Sequence, residues 1–306
     1  MSTHLLHILQ HDSFIGADRG CLVCRFADGT EKRLPFADIL AVIVAARGVS
    51  FSAAAISECL SNNVVILHCD NNYRPTGKTI PLNYIVQSSV FESQISFNKI
   101  FASKLWHKIL TAKIKNQAFV LDCLKVNHKL YEYVSADSFD EGNAARHYWS
   151  FYFKNFGRKS PKTRERKGAQ DPVNCMLNYG YAVLSAILHR SLVTHGLNTN
   201  LGIWHKYRYK SDPLVYDLLE PLRPICDLAL LSFVKTCPRA KIEDFAKYAA
   251  KYYMSCKITV NKGQNLGLFN AIDFYAASIA DAFSSNSIEN TFIPELKGAC
   301  FGEKQE

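Results

Sequence analysis

The chain has 306 residues, 48% hydrophobic and 21% charged, the proportions of a folded protein with room for one large or two ordinary domains. No apolar run can span a bilayer, and the opening MSTHLLHILQHDS lacks the basic and apolar regions of a secretory signal. A cytoplasmic protein with no membrane partner is therefore expected. Thirty-six basic residues against 27 acidic ones leave a net charge of +9, which points to a polyanionic partner, nucleic acid first.

The ten cysteines fall mostly within apolar runs with no regular framework, so they read as reduced, buried residues. Cys21 and Cys24 form a CxxC, but it lies in an apparent strand without a second pair, a poor zinc or redox signal.

Residues 1 to about 92 read as a small β domain. HLLHIL, CLVCRF and LAVIVAA are separated by turn signals, and Asp28-Gly29 marks a hairpin. A short helix over Ser52 to Leu60 precedes a buried strand, Val64 to Cys69. From residue 93 to 306 the pattern is helical, giving an α+β protein with a larger all-α second domain. Ile95, Ile100, Phe101, Leu105, Trp106, Ile109, Leu110 and Ile114 recur at mostly helical spacings. Lys99, Lys104, Lys108, Lys113 and Lys115 occupy the other surface, to be read as a solvated face or a track for phosphates.

A helix opening at Glu141 follows, with that carboxylate at the positive end of the helix dipole. The loop GRKSPKTRERKGAQ carries Arg158, Lys159, Lys162, Arg164, Arg166 and Lys167, the densest basic patch and a candidate for DNA backbone contacts. Asp171-Pro172 starts another helix, in which Asn174 and Asn178 are an i, i+4 pair. Further helices are expected over 213–236, 241–256 and 266–283, and the tail from about 285 lacks clear periodicity and reads as disordered.

Gly196 to Asp227 concentrates the candidate chemistry. His205 sits in a polar loop, Asp212 is placed to cap a helix, and Asp217, Glu220 and Asp227 follow on one stripe of an apolar helix. Buried acids need partners or a metal, and Pro221 and Pro224 free the carbonyls of Asp217 and Glu220, predicting a kink. Carboxylates with a histidine suit Mg²⁺ or Mn²⁺. No serine elbow and no Cys–His pairing stands out.

Read together, EGNAARHYW, DPVNCMLNYGYAVL, GLNTNLGIWH and PLVYDLLEPLRPICD resemble the helical domain of the CRISPR-associated integrase, the first-numbered Cas protein. KIKNQ at 113 to 117 and the N-terminal β region extend the resemblance over nearly the whole chain. The resemblance implies a metal site of Glu141, His205 and Glu220, which are also the catalytic residues, with Asp217 in support. It implies joining of captured DNA to a CRISPR repeat by 3′-hydroxyl attack. It further implies a homodimer through the β domains and a hetero-hexamer with the second-numbered Cas protein. The motif wording is most similar to systems with a single large effector nuclease, a further possible partner. Two alternatives stay open from the residues alone: a metal-dependent nuclease acting on branched DNA, and a non-catalytic nucleic-acid-binding module.

Overall fold

The computed structural model describes residues 4–70, 73–81, 88–135, 140–166, 168–205, 212–237, 241–260 and 264–296. The N-terminal part holds strands β1 (His4–Ile8), β2 (Phe14–Asp18), β3 (Cys21–Arg25), β4 (Glu31–Pro35), β5 (Ile39–Val44), β6 (Ser50–Phe51), β7 (Val65–Cys69) and β8 (Pro75–Thr79), with helix α1 (Ala53–Ser61) before β7. One sheet has the order β1-β5-β7-β8, parallel except for its β7/β8 edge; the other has the order β4-β3-β2-β6. The β3–β4 hairpin turns at Asp28-Gly29 as expected, Gly29 taking φ +82°.

The all-apolar run of β5 reflects burial on both faces. Val42, Val44 and Ile66 face the second sheet and α1, whereas Ala41, Ile43, Val65 and Leu67 join the core made with the helices. The sheet thus anchors the helical part directly.

That part comprises α2 (Ser88–Ser96), α3 (Lys99–Cys123), α4 (Glu132–Ser135), α5 (Glu141–Tyr152), α6 (Pro172–Thr194), α7 (Pro213–Leu219), α8 (Arg223–Thr236), α9 (Ile242–Ser255) and α10 (Leu268–Ser285). Helix α6 is buried nearly all round, at the centre of α7, α8, α9, α10 and the first sheet. The architecture is the expected α+β, a β-sheet region followed by a helical one. No helix among the described residues is long and apolar enough to cross a membrane.

Several expectations need correction. A two-stranded hairpin, β9 (Lys257–Thr259) with β10 (Asn265–Gly267), interrupts the part expected to be all helical, because Ile258, Thr259 and Val260 are β-branched. The helix expected from Ser93 breaks at Asn98, whose side chain caps α3 by accepting from the Phe101 N–H. Ile95 and Ile100 lie exposed beside this break rather than packed inward.

The tail was expected to be disordered from about 285. Instead residues 286–296 pack, with Thr291, Phe292, Ile293 and Leu296 buried. Lys108 donates to the carbonyls of Ile288 and Thr291, and Asn116 holds the Pro294 carbonyl and the Leu296 N–H. These polar contacts fix a segment that no periodic apolar pattern announces. The remainder, 297–306, lies outside the described residues.

Candidate active site

Three helical segments meet at the site. Helix α3 brings Lys113, the first turn of α5 brings Glu141, and the run 213–236 brings Asp217, Glu220 and Arg223. That run is broken as the prolines predict: a 3₁₀ turn over Glu220–Leu222 separates α7 from α8. Asp140 caps α5 by accepting from the Asn143 N–H, which sets Glu141 at the helix start.

Glu141 and Glu220 converge on a single cation. Lys113 Nζ lies 2.8 Å from Glu141 Oε1 and 2.7 Å from Glu220 Oε2. Glu220 is buried, and its other oxygen lies 3.1 Å from Arg223 Nε. Burial alone would raise the Glu220 carboxyl. Arg223 and Lys113, with Arg166 beyond them, outweigh it and hold the group at about 2. The pocket is thus built around an ionised carboxylate and a closely held positive charge.

His205 is fixed through Asp217, one helical turn before Glu220. Its Nδ1 lies 2.5 Å from Asp217 Oδ1, and Asp217 Oδ2 accepts from the backbone N–H groups of Ile203 and Trp204 at 2.8 and 2.9 Å, with the His205 N–H at 3.4 Å. Burial pushes Asp217 up, and these donors oppose it. With Nδ1–H given to the carboxylate, neutral His205 keeps its lone pair on Nε2, the arrangement that orients imidazole ligands. Trp106 packs edge-on to the His205 ring, 5.6 Å between centroids, and stacks on Trp204 at 5.9 Å. The loop that carries this histidine can close only with glycine at 202. A Cβ there would overlap the His205 carbonyl oxygen and stand 2.9 Å from Pro213 Cβ.

Two glutamates facing one positive charge are donors suited to a hard divalent cation, and an imidazole nitrogen extends the set to Mn²⁺. As the side chains stand, no three His, Cys, Asp or Glu among the described residues are grouped to hold an ion. Lys113 occupies the point where the glutamates converge, while His205 is bound to Asp217.

Asp212 does not cap α7. It sits at φ +54°, and its side chain instead accepts from Thr199 Oγ1 at 2.9 Å and pairs with Lys78 of β8 at 3.3 Å. Lys78 also lies 2.6 Å from His189 Nδ1, so this polar cluster ties the sheet and α6 to the start of α7. Asp227, on the same acidic stripe, is enclosed by hydroxyls: Tyr148 donates to it at 2.6 Å, Tyr181 donates to its other oxygen, and Tyr152 donates to its backbone carbonyl at 3.0 Å.

The lysine set of α3 is not a uniform solvated face. Lys99 and Lys104 are exposed, but Lys108 holds the tail, Lys115 lies 3.6 Å from Glu295, and Lys113 is buried in the site. A signal for Lys113 exists in the sequence: it stands four residues after Ile109 and seven after Trp106, inside the apolar stripe. Nothing in the sequence singles out Arg223, and Trp106, legible there as an apolar helix position, gives no sign of its contact with His205.

In the basic loop, Arg164 turns inward. It donates to Asn174 Oδ1 at 2.9 Å and to Asn178 Oδ1 at 2.6 Å, and lies over the rings of Trp149 and Tyr181. The i, i+4 asparagine pair is its receptor, so Arg164 braces the loop. Lys162 and Arg166 are exposed, whereas the side chains of Arg158 and Lys159 and the whole of Lys167 lie outside the described residues.

Comparison with known proteins identifies the family. The chain matches the family described as CRISPR associated protein Cas1 over residues 6–138 and 139–260. It is 28% identical over 278 residues to the CRISPR-associated endonuclease Cas1 of Neisseria meningitidis serogroup C (strain 8013), covering 88% of this chain and 89% of that one. To a Cas1 endonuclease of Francisella tularensis subsp. novicida (strain U112) it is 28% identical over 243 residues, 72% of this chain and 75% of the relative. Among solved structures, a casposase bound to its integration product superimposes with a TM-score of 0.79 at 20% identity, covering 96% of both chains. A Cas1 protein from Thermotoga maritima gives 0.76 at 15% identity, covering 92% of this chain and 97% of that one. Those identities speak for the fold, and the family match spans most of the sequence: this chain belongs to the CRISPR associated protein Cas1 family.

Proposed function

We propose that this protein is a divalent-metal-dependent DNA endonuclease and integrase that joins captured DNA to a CRISPR repeat. The observation that carries the reading is the convergence of Glu141 and Glu220, from separate helical segments, on one positive charge, with His205 oriented by Asp217, one turn before Glu220. In this reading Glu141, Glu220 and Nε2 of His205 hold Mg²⁺ or Mn²⁺. When bound, such an ion lowers the pKa of a hydroxyl and offsets charge on a pentavalent phosphate.

The chain's own residues supply the rest. Arg223 keeps Glu220 ionised, so it enters the reaction as a carboxylate. Asp217 fixes the His205 tautomer and the loop behind it. The step is a transesterification: one P–O bond forms to the incoming 3′-oxygen, one breaks to the departing 3′-oxygen, and the attacking hydroxyl loses the proton that the leaving oxygen gains. No covalent enzyme intermediate is required.

Lys162 and Arg166 are exposed cations of the basic loop available for DNA phosphates, with Arg158, Lys159 and Lys167 as the sequence assigns them. Partners follow the relatives. A structure named as a complex of Cas6-RT-Cas1 with Cas2 superimposes over 97% of this chain with a TM-score of 0.74, although this chain covers 36% of that one. We extend this to a homodimer through the β region and a hetero-hexamer with Cas2, acting in the cytoplasm.

The test is a joining assay: full chain, Cas2, a short duplex with free 3′ ends, and a repeat-bearing plasmid, with Mg²⁺ or Mn²⁺. Strand-joined product is expected from the unaltered protein and not from His205→Ala or Glu220→Ala. Cleavage without joining would move the assignment to a hydrolase acting on branched DNA, and no reaction at all to a binding module.

A further inference from the structure

We propose that Lys113 is an internal counter-cation that holds the Glu141–Glu220 position in the DNA-free protein and yields it to the divalent ion. The proposal rests on the metal-site reading above and adds a competitor to it.

A buried ammonium is unusual and needs anionic partners. Lys113 has two, at 2.8 and 2.7 Å, and these contacts join the first turn of α5 to the break between α7 and α8. Its charge and that of Arg223 already balance Glu141 and Glu220. A divalent ion entering the same pocket would face both cations at short range, and like charges repel. One cation must therefore withdraw.

The structure indicates which. The guanidinium of Arg223 lies over the Tyr181 ring, 5.0 Å from its centre, and is rooted in the first turn of α8 beside Glu220. Lys113 carries its charge on a flexible four-carbon stem rooted in the middle of α3. It can swing its ammonium aside while the backbone stays fixed. Once displaced, that ammonium needs another anion, and the reaction brings a phosphate to this pocket. Metal binding and DNA binding then help each other, because DNA gives the displaced cation a partner.

The experiment titrates Mn²⁺ into the full chain and follows free Mn²⁺ by electron paramagnetic resonance. Without DNA, Lys113→Met should bind Mn²⁺ more tightly than the unaltered protein, by on the order of tenfold. A short duplex with blocked 3′ ends should tighten Mn²⁺ binding in the unaltered protein and leave Lys113→Met unchanged. Glu220→Gln in the same titration separates the two layers of the argument. If it binds like the unaltered protein, the metal-site reading fails; if it loses affinity while Lys113→Met gains none, the counter-cation alone is wrong.

Acylation of the unaltered protein with acetic anhydride, read by mass spectrometry, keeps the question open to test if Lys113→Met does not fold. Mn²⁺ should raise modification of Lys113 relative to exposed Lys104. Unchanged or reduced modification would overturn the proposal.

Discussion

Two buried carboxylates seven residues apart, Glu220 and Asp227, occupy one helical run and meet opposite surroundings. Glu220 is enclosed by cations and held at about 2; Asp227 is enclosed by tyrosine hydroxyls, and burial pushes it up to about 6 against their donation. From the sequence both are acids on an apolar helix. Their partners come from elsewhere: Lys113 of α3 for the first, Tyr148 and Tyr152 of α5 and Tyr181 of α6 for the second. Ionic partners create a position where one cation can replace another. Hydroxyl partners create a pin between α5, α6 and α8, fixed by hydrogen-bond directions.

The sharpest way to break this contrast is to neutralise each acid. Glu220→Gln should lower strand joining by about 10³-fold or more, as expected when a charge-stabilising group is removed. Asp227→Asn should keep joining within about tenfold at a temperature where it stays folded. Equal losses in both, at matched folded fractions, would erase the distinction.

A pH series sharpens it further. Asp227 has a folded pKa of about 6 against an ordinary 3.8, so the folded state binds its proton more tightly. Its contribution to stability is fully present below 3.8 and is lost as pH rises through 6, about 3 kcal/mol across the window by linkage. Urea unfolding between pH 3.5 and 7 should show this as a change of about that size in the stability difference between the unaltered protein and Asp227→Asn. The difference is the readout because His7 and His189, which burial lowers to about 4, give both proteins an opposing slope. The same slope in both proteins would assign it to other groups.

Gly202→Ala tests the histidine side of the site without touching any charge. The added Cβ displaces the loop that Asp217 organises, and misplacing a ligand by about an ångström costs up to about 10²-fold in rate. Joining should fall while the melting temperature moves by only a few degrees, on the order of 1–2 kcal/mol. Unimpaired joining would show that the loop tolerates the shift.

The smallest effect belongs to the basic loop. Neutralising Lys162 and Arg166 together should reduce the slope of log binding constant against log salt by about 2, near 0.9 per phosphate contact. Arg164→Gln should instead lower stability, because it empties the receptor formed by Asn174 and Asn178. An unchanged slope in the double variant would place the DNA elsewhere.

By itself the sequence determined the α+β order, the hairpin at Asp28-Gly29, the starts of α5 and α6, and the break beside Glu220, because turn, helix-start and proline chemistry act within a few residues. Its motifs also carried the family, and they put forward Glu141, His205, Asp217 and Glu220 as the site residues to test. Tertiary structure alone decided which acid meets a lysine and which meets tyrosines, that Arg164 faces inward, and that 286–296 packs on Lys108 and Asn116. Each of these is a contact between residues far apart in the chain. Its energy depends on the partner's burial and direction, and neither is encoded in local spacing.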